Sequence, residues 1–221
     1  MKMKPEKVTL SHTVGQIADC IILSLIWFIG CLPIITIGAS TTAMYYTADK
    51  VIHRGEGKLW ATFWKTFSRE FKQATILGLL VTAFYVSVTI AGVMLYSLYA
   101  TGNDSYTGFV LPLVIITVIV TFWAQYWFAY LARFKDKTST LLRNTLSIAI
   151  IDLRRSILLL LMFAVTIIVG AICFVYLPAI NILLPAAYAY TANRIYEKVF
   201  APYLPDEEAI SVLGLQNETI K

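Results

Sequence analysis

Charge is what this sequence has little of: Asp, Glu, Lys and Arg make up 14% of its 221 residues, against 58% hydrophobic ones. So few charges cannot cover a soluble domain of this length, and lipid is the expected solvent for most of the chain. Cysteine is scarce too. Cys20, Cys31 and Cys173 all lie in apolar stretches, and the first two stand roughly 16 Å apart along a helix, too far to pair. No CxxC or Cys/His ligand spacing accompanies them, so neither a disulfide framework nor a metal site is expected. They read as small apolar side chains. The only histidines are His12 and His53, both near expected membrane interfaces. There is no GxSxG, HExxH, P-loop or glycine-rich dinucleotide fingerprint, so no catalytic site and no cofactor are expected.

What charge there is falls into clusters. All eighteen Lys and Arg residues belong to four groups: Lys2 to Lys7, Lys50 to Lys72, Arg133 to Arg155, and Arg194 to Lys221. The net charge of +5 does not point to nucleic acid, because the cations stand at the ends of apolar spans and cover no single face. Anionic headgroups of a lipid bilayer are the partner such clusters suit. Because basic loops are retained in the cytoplasm, the clusters also assign sides.

Long spans are expected at 14–32, 74–100, 107–132, 156–177 and 180–199, with neutral external turns at TGNDSYT and around Pro178. The ambiguous piece is PIITIGASTTAMYYTADKVIH, residues 33–53. If it returns across the bilayer there are six crossings, both termini are cytoplasmic, and every cation is inside. If it does not cross there are five, and Lys2, Lys4 and Lys7 are forced outside. Against six stands length, since a helix over 39–53 covers about 22 Å, less than the ~30 Å hydrocarbon core. A short return helix or a re-entrant one, buried among its neighbours through Gly38, Ala39, Ser40 and Ala43, is the preferred reading. The fold class is therefore an all-α polytopic transmembrane bundle of six segments. Residues 1–201 form one transmembrane domain, and 202–221 a polar tail. The three leading lysines match a signal peptide as well as a retained anchor, but the apolar stretch is as long as a membrane span, and retention is expected.

From Lys58 to Lys72, KLWATFWKTFSREFK is a basic amphipathic helix. Trp60, Phe63, Trp64, Phe67 and Phe71 share one stripe, opposite Lys58, Lys65, Arg69 and Lys72. It reads as an interfacial elbow feeding the next span, or as a docking face for a partner subunit. A second elbow, STLLRNTLSIAIIDLRRS, repeats the pattern of an acid followed by cations. Asp19 is the one acid well inside an expected span, which makes it a functional candidate, although it lies close enough to the helix start to stay near the surface beside Gln16. Gln125, Asn181 and Asn193 are polar residues in spans, suited to interhelical hydrogen bonds or to substrate contact.

The run WFIGCLPIITIGASTTAMYY, residues 27–46, followed by FWKTFSREFKQATILG, residues 63–78, resembles the YesL family of bacterial integral membrane proteins. The similarity extends over about residues 10 to 200, and LPIITIGAS and FKQATILG are its most recognisable stretches. This resemblance implies a domain of unknown function with no active site to transfer. It also implies a plasma-membrane accessory of carbohydrate uptake or utilisation, associated with ABC sugar permease subunits. The competing expectation, drawn from the residues, is an autonomous small-solute transporter or channel lined by Asp19 and the broken Pro33–Ser40 region.

Overall fold

The structure is a computed structural model that describes residues 5–101, 108–176 and 181–203, with side chains from residue 15 onward. The expected turns at 102–107 and around Pro178, Lys2 and Lys4, the side chains of Lys7 and His12, and the tail beyond Tyr203 lie outside the described residues. Every element among those described is helical: α1 (Pro5–Cys31), α2 (Ile37–Thr47), α3 (Leu59–Ala100), α4 (Val110–Arg133), α5 (Thr138–Ile151), α6 (Leu153–Tyr176) and α7 (Leu184–Phe200).

Three of these, α3, α4 and α6, are long and apolar enough to cross a membrane. Their most apolar 18-residue windows are only 11%, 22% and 6% buried, so this surface has little protein cover, as expected of helices that face lipid. The apolar part of α1, Gly15–Cys31, is shorter, as is α7 with 17 residues. Three helices thus carry the membrane character, alongside α1, α2 and α7 as shorter companions.

Two boundaries differ from the sequence-based expectation. The elbow at 58–72 and the span at 74–100 are one unbroken helix of 42 residues, about 63 Å long, because nothing between Leu59 and Ala100 interrupts helical hydrogen bonding. The second elbow does break. Asp152 adopts φ −107° and ψ 56°, ending α5 and letting α6 start at a new angle. Its amide still donates to Ile148 O, and its carbonyl accepts from the Ser156 amide, so both helix ends stay satisfied. The two elbows are therefore different devices.

The core sits around α2, which packs against α1, α3, α4 and α7. Small residues make this approach achievable: Gly38, Ala39, Ser40, Thr42 and Ala43 are buried, and so is Gly78 on the facing helix. A Cβ on Gly38 would collide with the Ala74 carbonyl, and one on Gly78 would come within 2.8 Å of Gly38 Cα. The backbones touch, as small-residue seams allow. At the other side of the core, the Ala186 amide, left open by the first turn of α7, donates to Ser24 Oγ of α1 at 3.2 Å. Pro185 occupies the start of α7, where its missing N–H costs nothing.

Candidate functional site

Beyond Thr47 the central helix loosens into a π-helical segment, Ala48–His53, and then turns through Gly55 and Gly57, both at positive φ. This segment carries Asp49 into the interior at the cation-rich end of the bundle. α4 ends on Arg133 at the same level, and the last two turns of α7 present Asn193 and Glu197. Together they form one charged network. Arg133 Nη2 lies 3.6 Å from Asp49 Oδ1 and donates to Asn193 Oδ1 at 3.3 Å. Asn193 Nδ2 in turn donates to the Tyr45 carbonyl at 3.0 Å. Arg54 Nη2 reaches Asp49 Oδ2 at 3.3 Å and Glu197 Oε1 at 3.9 Å, and His53 Nε2 stands 3.8 Å from Glu197 Oε2.

The arrangement follows from the desolvation of Arg133. Its side chain is only 9% exposed, and a cation removed from water must be paired and hydrogen-bonded. Asp49 supplies the charge, Asn193 and the Ala129 carbonyl accept hydrogen bonds, and the Phe200 ring lies 5.5 Å beneath the guanidinium. Three elements, the π segment, α4 and α7, are thereby held to one another at this end.

A cavity of about 360 Å³ opens beside the network, lined by Tyr46, Asp49, Lys50, Arg54, Glu56, Arg69, Arg133 and Lys135 together with Leu131 and Ala132. Five of these are cations and two are acids. The ion pairs already described partly offset Arg54 and Arg133, and Arg69 donates from Nε to Glu70. Lys50 and Lys135 have no carboxylate partner among the described residues, and Lys50 and Arg69 flank the Tyr46 ring at 5.8 and 5.2 Å. The wall is thus a surplus of donors around a space large enough for a small anionic group. No group of three or more His, Cys, Asp or Glu side chains gathers as a metal cage among the described residues.

The residues singled out from the sequence are dispersed around this chamber. Asp19 is half-buried, one turn beyond Gln16, whose amide donates to the Ile52 carbonyl at 3.2 Å. That places it towards the cation-rich end, with no hydrogen bond or ion pair among the described residues. Gln125 Oε1 accepts from Tyr188 Oη at 3.1 Å, and its carbonyl accepts from Tyr196 Oη at 2.9 Å. With its amide turned to satisfy both groups, Asn181 donates to the Gly170 carbonyl at 3.1 Å and accepts from the Phe174 amide at 3.0 Å. Pro33–Ser40 abuts α3 through the Gly38–Gly78 contact, where the two backbones touch.

The aromatic stripe splits. Phe63 is fully buried and faces Gly30, Trp64 and Phe67 are half-buried, and Trp60 and Phe71 are exposed. Their rings contact one another in succession along the helix. Phe63 therefore belongs to the core and is not available to a partner. Asp49, Arg133 and Glu197 were not singled out from the sequence. Their signal was present in Asp49 and Glu197, acids set in segments that otherwise read as membrane-embedded.

Fold and site define an all-helical bundle of membrane type with a basic chamber at one end. A family model described as a protein of unknown function, DUF624, matches residues 20–97, covering α1 from Cys20 onward, all of α2 and most of α3. No curated protein and no solved structure matches the chain.

Proposed function

We propose that this is a multi-pass plasma-membrane protein of the YesL type, with its cation-rich end in the cytoplasm, serving as an accessory component of carbohydrate uptake or utilisation. In this reading the chain does no chemistry itself. It receives an anionic group, an acidic segment of an ABC permease subunit, in the basic chamber between the π segment, α3 and α4. The observation that supports this is the chamber itself: Arg133 is locked in place by Asp49 and Asn193, while Lys50 and Lys135 stand at its wall with no carboxylate partner among the described residues. Trp60 and Phe71, exposed on the opposite face of the same elbow from Arg69, supply a second, apolar contact surface of the kind that anchors helices at interfaces.

The test is affinity purification of the tagged full-length chain from native membranes in a mild detergent. Sugar permease subunits are expected to accompany it. Reversing the two cations that lack a carboxylate partner, Lys50→Glu with Lys135→Glu, is expected to lose them without altering the size-exclusion profile. Recovery of the protein alone in every preparation, or retention of the permease by the reversed variant, counts against the reading.

A further inference from the structure

A second cationic site lies on the opposite flank, in the groove between the start of α6 and the end of α7. It is lined by Asp152, Arg154, Arg155, Ile157, Leu158, Leu161, Arg194, Ile195 and Lys198, and encloses about 860 Å³. We propose that this groove holds one anionic phospholipid, its phosphodiester on Arg154, Arg194 and Lys198 and an acyl chain along Ile157, Leu158 and Leu161.

Three features support this occupant. The first is charge: four cations face one acid, and that acid, Asp152, is already taken by Arg155. The second is order. Arg155 Nη1 donates across the groove to the Lys198 carbonyl at 3.1 Å, which ties the two helices together. Arg194 donates to Tyr190 Oη at 2.9 Å and lies 5.2 Å from that ring's centre, so its guanidinium is held in position. Arg154 and Lys198 have no ion-pair partner among the described residues. The third is the vertical sequence of chemistry. Ile157 and Leu158 follow Arg154 within about 6 Å along the helix, close to the roughly 6 Å that separates phosphate from hydrocarbon in one leaflet. Ile157, Leu158 and Leu161 are 45%, 49% and 57% exposed, and they continue into the bare apolar face of α6. A free phosphate would satisfy the cations but leave that wall uncovered. A zwitterionic lipid would cover the wall but bring its own cation to the arginines. An anionic phospholipid meets both demands.

The inference rests on the reading of the chain as an integral membrane protein, which resistance to alkaline carbonate extraction checks separately. The site itself is tested by native mass spectrometry of the full-length protein in mild detergent with added phosphatidylglycerol or phosphatidylcholine of the same acyl composition. Phosphatidylglycerol is expected to be retained roughly tenfold better. The variant Arg154→Gln, Arg194→Gln, Lys198→Gln should lower that retention on the order of a hundredfold, since each basic residue at an anionic surface contributes about fivefold. A variant losing the same charge elsewhere, Lys58→Gln, Lys65→Gln, Lys72→Gln, should keep it. Leu161→Trp, which fills the groove without touching charge, should also lower retention, and it carries the test if the triple variant does not give a monodisperse peak. Equal retention of the two lipids, equal loss in both triple variants, or displacement of the lipid by excess inorganic phosphate would overturn the assignment.

Discussion

Arg133 occupies a position where a cation is hard to keep, nine-tenths buried at the C-terminal end of α4. Its guanidinium and the Asp49 carboxylate each make the other tolerable, because an unpaired buried charge retains its full desolvation cost. Replacing Arg133 with Ala leaves Asp49 with Arg54 alone and leaves Asn193 Oδ1 without its donor. The expected loss is about 3 kcal/mol of stability, read from thermal or SDS unfolding in detergent. The double variant Arg133→Gln, Asp49→Asn removes both charges together and should recover a large part of that loss. If the double variant is as unstable as the sum of the two single ones, the pair does not act as a unit.

At the scale of elements, the decisive contact is the backbone seam between α2 and α3. Gly38→Ala places a methyl group against the Ala74 carbonyl and the Gly78 backbone, neither of which can rotate away, so α2 must shift as a body. We expect a cost of about 2–3 kcal/mol, at the upper range for overpacking. Gly92→Ala on the same long helix meets nothing within 4 Å and is expected to be neutral or slightly stabilising, which controls for helix propensity in the same unfolding assay. The small residues after Pro33 announced this seam in the sequence, because only close helix approach rewards such a run. The aromatic stripe of the elbow was legible as well, but not its rotation. The packing face runs through Phe63, Thr66, Glu70, Ala74 and Leu77, so that it takes one aromatic inward and leaves Trp60 out. Periodicity defines a stripe without saying which of its edges meets the core. The acids Asp49 and Glu197 stand out in apolar segments, but their grouping with Arg133 was illegible for a related reason: it joins positions 49, 133 and 197, and nothing local in the sequence marks residues so distant as neighbours.

For the molecule as a whole, the distribution of charge is what the proposed orientation rests on. Nine of the described cations gather around two sites: Lys50, Arg54, Arg69, Arg133 and Lys135 around the chamber, and Arg154, Arg155, Arg194 and Lys198 around the α6–α7 groove. Cationic segments resist translocation, so both sites should face the cytoplasm. α2 and its π extension together span 17 residues, about 25 Å, short of the ~30 Å hydrocarbon core. A crossing by that helix would need its backbone ends covered by protein, and α1, α3, α4 and α7 all pack against it. In a background with Cys20, Cys31 and Cys173 replaced by Ala, a membrane-impermeant maleimide should label Tyr99→Cys and Tyr176→Cys on intact cells. It should label Lys135→Cys and Lys198→Cys only after the cells are opened. Met3→Cys distinguishes the two crossing numbers: protection on intact cells requires six crossings, and external labelling leaves five, with α2 as a re-entrant helix. External labelling at Lys135→Cys would place the basic chamber outside the cell and remove the cytoplasmic partner on which the proposed function depends.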